Sequence, residues 1–301
     1  MTTVRDAAAF WGTGDTETGA GPVCVALVTC AEHADGEGVD AVLTDALTQH
    51  GADACWVTWT DAAVDWSDFD LVVIRSTWDY PERIDAFRDW VVDVAMSSTL
   101  VNPPRLVLDN LHKGYLTDLD DAVPTLVVPA GMTVELAHVG WPGAVVKPAV
   151  GAGGDGVVRD ATQADLDALT LAADGGVDVV VQPYLDGIEQ AGEVSIVCVE
   201  GEPTHAVRKR AAAGEFRIHS HRGGTVETEP LTDRLSALAR GALASLPVAP
   251  AYARVDVIEH GDELLIVELE LVEPQLWLDR APAAAGRLAT GLLARARAAP
   301  R

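Results

Sequence analysis

A chain of 301 residues, 49% hydrophobic and with a formal charge of −25, has room for two or three modest domains around a sizeable core. That acidity argues against a nucleic-acid surface and against an anionic membrane, and no apolar run reaches the length of a membrane span. Residues 1–20 lack the apolar centre of a signal peptide and read as a flexible lead, which makes a cytoplasmic protein the expectation. The four cysteines form no CxxC pair, and buried free thiols are expected of them.

Residues 23–29 (VCVALVT) form a continuous apolar run, the pattern of a buried strand. Residues 39–50 have helical spacing and stop at Gly51, a helix-ending signal. Strands follow at 54–60 and 70–76, then a helix at 84–96 with Phe87, Trp90, Val91 and Val94 on one face. This order predicts a small α/β domain over residues 21–108. No GxGxxG follows the first strand, which argues against a dinucleotide site there. In open α/β sheets ligands sit beyond the carboxyl ends of the strands. The run Arg75-Ser76-Thr77-Trp78-Asp79-Tyr80 is therefore a candidate substrate wall. The alternative for Arg75 is a local pairing with Asp79.

The stretch VNPP at 101–104 reads as a linker, and a short helix over 109–119 carries Lys113. Strands at 126–129 and 144–148 follow, the second ending in Lys147 and Pro148. The loop Gly151-Ala152-Gly153-Gly154-Asp155-Gly156 leads to a strand at 157–159. Glycines at this density let backbone amides approach an anion, although hairpins use the same residues. A helix at 165–172 precedes a strand at 177–185 that ends in Gln182-Pro183-Tyr184-Leu185. Strands at 193–199 and 203–210 form a hairpin around Gly201. Residues 211–224 (AAAGEFRIHSHRGG) have the composition of a mobile basic loop; His219 and His221 lack a third ligand at usable metal spacing. An amphipathic helix at 231–246 and a terminal helix at 283–297, packed through Leu288, Leu292 and Leu293, frame the last hairpin.

That hairpin, YARVDVIEHGDELLIVELELVEP, is the most informative stretch. Two alternating apolar runs flank the turn His260-Gly261-Asp262, yet Asp256 lies inside the first run and Glu268 and Glu270 inside the second. A carboxylate within a strand is costly unless it is paired or holds a cation. Three of them on one hairpin read as a site for a hard cation such as Mg²⁺, or as an acidic solvent face. Only three of the 21 basic residues are lysine, namely Lys113, Lys147 and Lys209. Where arginine has nearly replaced lysine, a remaining lysine marks a place that needs a compact charge, such as a phosphate site; codon usage is the plainer cause.

Taken in order, these landmarks resemble the ATP-grasp superfamily and, within it, the bacterial glutathione synthetase-like branch. The resemblance covers about residues 70–273 and rests on VVKP before the glycine loop, QPYL, GEVSIV, HAVRKR with GEFR, and VDVIE with LIVELELVEP. It implies an α+β ATP-grasp fold: the N-terminal α/β domain, a central lid subdomain over 109–185 and a C-terminal subdomain over 186–301, with ATP between antiparallel sheets. It implies that Lys113 and Lys147 contact the nucleotide phosphates, that the loop with Gly151, Gly153 and Gly154 closes over them, and that Gln182, Tyr184 and Leu185 meet adenine. Glu193 matches the ribose-binding acid, with Glu189 as a second choice, and Asp256, Glu268 and Glu270 match the ligands of Mg²⁺, which the resemblance implies as two ions. The family usually has asparagine at the last position; Glu270 departs from it. Lys209 and Arg217 match basic positions near the γ-phosphate and the acyl group.

The implied activity is ATP-dependent ligation of a small amino-acid-type carboxylate to an amine through an acylphosphate, in a chain that as in many relatives can be a homo-oligomer. RSTWDYPE, GEFRIHS and ELELVEP also resemble the subgroup containing the D-cycloserine synthetases, which implies ring closure of O-ureido-D-serine. In that reading Arg75, Ser76, Trp78, Asp79 and Tyr80 meet the substrate. A peptide-modifying ATP-grasp ligase and a non-catalytic ATP-binding scaffold remain the alternatives.

Overall fold

A computed structural model describes residues 21–173, 175–211 and 224–298; the lead at 1–20, Arg217, His219 and His221 lie outside them. The N-terminal part runs β1 (Val23–Thr29), α1 (Ala41–Gln49), β2 (Ala52–Thr58), β3 (Leu71–Ser76), α2 (Ile84–Ser97) and β4 (Thr99–Val101). Its strands pair in parallel in the order β2-β1-β3-β4. Both faces of such a sheet are covered, which is why β1 and β3 are continuous apolar runs rather than alternating ones. The predicted linker at 101–104 is not one: Val101 ends β4, and Asn102 is fully buried. Its side chain donates to the carbonyls of Tyr252 and Leu271 and accepts from the Ala251 amide. Pro104 then opens α3 (Pro104–Asn110), where its missing N–H costs nothing.

The predicted helix at 109–119 is broken. α3 ends at Asn110, His112 is extended, and a single 3₁₀ stretch runs from Lys113 to Thr117. The His112 imidazole Nδ1 accepts from the Gly114 amide at 3.0 Å, a local bond that replaces the helical one. A small antiparallel sheet follows, β5-β7-β6, from β5 (Leu126–Val128), β6 (Ala144–Pro148) and β7 (Val179–Pro183), with α4 (Gln163–Thr170) between the last two. The predicted strand at 157–159 contracts to one bridge between Val146 and Val158. Gly153, Gly154 and Gly156 all take positive φ, so the chain between is a looping turn that returns to the sheet at one point.

After the short α5 (Gly187–Gln190) come β8 (Glu193–Val199), β9 (Glu202–Arg210), β10 (Thr225–Glu229), α6 (Asp233–Ala244), β11 (Tyr252–His260), β12 (Glu263–Glu270) and α7 (Pro282–Ala298). The five strands form an antiparallel sheet, β10-β9-β8-β11-β12. Period-two alternation divides its side chains. Ala253, Val255 and Val257 join the core under α6, with Leu235, Ala239 and Leu243. On the other face Val197, Val199, Val207 and Tyr252 pack with the first sheet and with Leu288, Leu292 and Leu293 of α7. The Tyr252 hydroxyl lies 2.8 Å from the Ile74 carbonyl, 3.0 Å from Val101 and 3.1 Å from Val272, so three segments converge on one side chain. Further along that face, Arg254 and Asp256 leave the core and enter a cleft.

All four cysteines are free, but only Cys30 and Cys198 are buried as expected; Cys55 is exposed. No helix among the described residues is long and apolar enough to cross a membrane.

Candidate active site

The cleft has a volume of about 660 Å³ and is bounded by the five-stranded sheet, the three-stranded sheet with its glycine loop, and the carboxyl ends of β1 and β3. Its floor is the hairpin of β11 and β12. Register sets Arg254 opposite Glu270 and Asp256 opposite Glu268, with an irregularity just after Asp256. Oxygens of Asp256, Glu268 and Glu270 lie within 4.8 Å of one another. An all-carboxylate set at that spacing suits a hard cation that takes oxygen ligands, so the residues present fit Mg²⁺.

Basic groups surround this cluster. Lys113 Nζ lies 3.2 Å from Glu268 and donates to the Gly151 carbonyl at 2.6 Å. The broken helix fixes this placement. Asn110 bonds the Leu269 carbonyl and the Leu271 amide, and the Tyr115 hydroxyl accepts from the Leu269 amide, pinning the segment to β12. Lys209 contacts Glu193 and lies 3.6 Å from Asp256. Lys147 has no ion pair among the described residues, and burial lowers its pKa against the pull of Glu268. Burial would neutralise Asp256, but Arg254 and then Lys209 outweigh it and hold the carboxyl below its ordinary range. Burial pushes Glu270 up to about 8 despite the Arg254 guanidinium. Burial and the neighbouring Glu268 and Asp256 thus favour the neutral form of Glu270, and a bound cation would draw it back to the carboxylate.

Most of the expected residues meet here. Lys113, Lys147, Gly151, Gly153, Gly154, Gln182, Tyr184, Leu185, Glu193, Lys209, Asp256, Glu268 and Glu270 all line the cleft. Gln182 is anchored by a bond from Nε2 to Thr125, and the Tyr184 amide bonds the Gly143 carbonyl, so the hinge keeps a fixed backbone. Trp78, Asp79 and Tyr80 also line it, Asp79 being held by Trp59 Nε1 and Arg83.

Three expectations are corrected. Arg75, 1% exposed, is not on the cleft wall and does not pair with Asp79; its guanidinium binds Asp40 at 3.2 Å and the Pro274 carbonyl at 3.0 Å. Strand alternation turns it into the interior, where only a counter-ion makes it tolerable. Ser76 is fully buried and bonds Thr29. Glu189 is not among the lining residues and pairs with Arg159, while Glu193 lines the cleft.

The sequence reading passed over Arg254, which binds Asp256 at 2.8 Å and also contacts Glu270. The signal was present, since Arg254 precedes Asp256 by two in a strand and so shares its face. It also passed over Trp277, whose indole lies 5.7 Å from Lys209 Nζ and 5.4 Å from the Arg254 guanidinium carbon. Nothing in the pattern after β12 marks that contact.

Residues 113–274 match the ATP-grasp domain of prokaryotic glutathione synthetase. The chain belongs to the ATP-grasp ligase family. Residues 25–102 of this ATP-grasp ligase match the N-terminal domain of the D-cycloserine synthetase DcsG. It is 30% identical over 276 residues to the cycloserine biosynthesis protein DcsG of Streptomyces lavendulae, covering 84% of this chain and 92% of that one. It is 26% identical over 175 residues to a glutathione synthetase of Mesorhizobium japonicum, covering 56% of this chain and 55% of that one. The crystal structure of D-cycloserine synthetase DcsG superposes with a TM-score of 0.80 at 28% identity, covering 91% of this chain and 99% of that one. The ligase is thus an enzyme of the carboxylate–amine, C–N bond-forming type, with ATP binding as its family trait. Both the glutathione synthetase-like branch and the D-cycloserine synthetase subgroup were legible from the landmarks.

Proposed function

We propose that this ligase holds Mg-ATP in the cleft, transfers the γ-phosphoryl group to a small amino-acid-type carboxylate, and passes the acyl group to an amine. The supporting observation is the meeting of Asp256, Glu268 and Glu270 with Lys113, Lys147 and Lys209 in one cleft. Lys113 and Lys147 bind phosphate oxygens. Lys147 suits this role because it has no ion pair among the described residues and its burial is relieved by an anion. The loop with Gly151, Gly153 and Gly154 covers the phosphates, Gln182, Tyr184 and Leu185 meet adenine, and Glu193 meets the ribose. Asp256, Glu268 and Glu270 hold two Mg²⁺ ions. When bound, the ions supply the charge neutralisation that lowers a phosphoryl-transfer barrier.

A substrate carboxylate oxygen attacks the γ-phosphorus as its bond to the ADP oxygen breaks. The amine nitrogen then attacks the acyl carbon, phosphate departs with the C–O electron pair, and the nitrogen loses a proton. Lys209 and Arg254 line the cleft where charge develops on the transferred group and the acyl oxygen, and the family resemblance assigns Arg217 a like role, so positioning and electrostatics carry the reaction. Likeness to DcsG over both parts of the chain supports an intramolecular version, in which the oxygen-bound ureido nitrogen of O-ureido-D-serine attacks the acyl carbon and water removes the carbamoyl group as carbon dioxide and ammonia, leaving D-cycloserine.

The test is release of ADP and phosphate from Mg-ATP across amino acids, dipeptides and O-ureido-D-serine, with mass spectrometry of the products. The expected result is release that depends on one carboxylate and gives a condensed or cyclised product. Failure to bind Mg-ATP would overturn the proposal.

A further inference from the structure

Beyond the acidic hairpin the cleft continues toward the carboxyl ends of β1 and β3, and its chemistry changes. His33, Glu37, Trp78, Tyr80, Glu273 and Gln275 line this end. Glu273 is 8% exposed; its carboxylate accepts from its own backbone N–H, and no other described residue gives it a hydrogen bond or an ion pair. The described cations nearby are already engaged. Lys113 is on Glu268 and the Gly151 carbonyl, Arg254 on Asp256 and Glu270, and Arg75 behind the wall on Asp40 and the Pro274 carbonyl. Glu37 receives one neutral bond, from Gln275 Nε2 at 2.9 Å. His33 lies near enough to draw the Glu37 pKa down, but burial outweighs it and the net shift is upward.

The backbone that carries Glu273 is fixed from the N-terminal sheet. Trp78 Nε1 donates to the Glu273 carbonyl at 3.2 Å and Arg75 donates to the next carbonyl, of Pro274, at 3.0 Å. Trp78 is in turn held edge-on by His33, with ring centroids 4.9 Å apart. A carboxylate that is kept buried, held in place and left without a counter-ion is costly to the apo protein. The cost is removed by a ligand that brings the missing positive charge.

We propose that this end of the cleft seats the protonated amino group of the substrate, with Glu273 as its counter-ion and Glu37 as a second acceptor. The ligase then takes aminocarboxylates and discriminates against acids that lack the amino group. This rests on the ligase reading of the cleft and deepens it. The amino group is the recognition handle at one end, and the carboxylate is directed toward the lysines and the acidic hairpin at the other. A site that must satisfy a buried charge rejects an analogue without the matching group far more strongly than an apolar pocket rejects a missing methylene.

The experiment measures binding to the full chain loaded with Mg²⁺ and a non-hydrolysable ATP analogue, by calorimetry. The probes are O-ureido-D-serine, D-serine and γ-glutamylcysteine, each beside its des-amino counterpart, which keeps the carboxylate and any ureido group. At least one amino compound is expected to bind about a hundredfold more tightly than its des-amino counterpart. Glu273→Gln, which keeps the shape, is expected to abolish most of that preference, and Glu37→Gln part of it, with affinity for the ATP analogue within threefold of the parent. Nucleotide binding measured first separates the two levels. Lost nucleotide binding in the parent defeats the ligase reading, whereas intact nucleotide binding defeats the amino-group seat alone if no amino compound binds, if the des-amino compounds bind equally well, or if Glu273→Gln keeps the preference.

Discussion

Arg254 and Asp256 stand two residues apart on one strand and hold each other, guanidinium Nη2 to carboxylate at 2.8 Å and Nε at 2.9 Å. The strand thus supplies its own counter-ion to a carboxylate proposed to hold metal. In Arg254→Met, Asp256 would keep the Ser195 hydroxyl at 2.5 Å and Lys209 at 3.6 Å as its remaining partners. Breaking a buried pair on one side costs about 3 kcal/mol, so urea denaturation should show a loss of that order. The same change should lower kcat by about a hundredfold or more, because a preorganised donor to the developing charge is lost. Affinity for Mg-ATP should change less than tenfold. A variant with parental stability and kcat would show that the pair does neither task.

The acids of the hairpin are partly occupied by Arg254 and Lys113, with Glu268 at 3.2 Å from Lys113 Nζ. A cation entering alone must compete with both, whereas ATP offers the lysines an alternative partner. Mg²⁺ and ATP should therefore bind with positive coupling, each tightening the other by about tenfold, and by the same factor in both directions. Calorimetric titration of either ligand with and without the other reads this. Glu268→Gln should lose the coupling together with turnover, and EDTA should abolish turnover until Mg²⁺ is restored. Independent binding of the two would remove the shared site.

Arg75 is expected to act on stability. Arg75→Ala leaves Asp40, 3% exposed, without its counter-ion and removes the bond to the Pro274 carbonyl. Truncating one side of a buried ion pair costs roughly 3–5 kcal/mol. The urea midpoint should fall accordingly at pH 7, with KM for ATP and for the acceptor moving together if they move at all. An isolated rise in the acceptor KM with unchanged stability would return Arg75 to the substrate wall.

The contrast between Arg75 and Glu268 explains what the sequence could and could not reveal. Glu268 and Glu270 repeat at period two in a run flanked by a turn, and that pattern carries their shared facing, while the choice between a cation site and an acidic solvent face rests on the family resemblance. Arg75 also follows the period of its strand, but which face is interior depends on α1 bringing Asp40 across from 35 residues away. Asn102 looked like part of a linker because its three partners, Tyr252, Leu271 and Ala251, are about 150 residues distant in the chain. The three lysines were found by scarcity and the glycine loop by density, both local signals. Glu273 is not marked by any local pattern, because its significance is the lack of a counter-ion among the described residues, which only the packed structure can display.

Glu273 gives the last prediction a definite sign. Burial, opposed by Lys113, raises its pKa from 4.5 to about 7. Between those values the folded chain binds more protons than the unfolded one, so this group makes stability fall as pH rises through the window. Glu273→Gln removes the charge that burial penalises. Without Mg²⁺, nucleotide or acceptor, parent and variant should have similar urea midpoints near pH 4.5, and the variant should be the more stable at pH 8, by up to about 3 kcal/mol. An aminocarboxylate bound to the parent at pH 8 should close that gap, because it supplies the counter-ion. A variant less stable than the parent at pH 8 would mean that the Glu273 carboxylate already has a partner, and the amino-group seat would lose its basis.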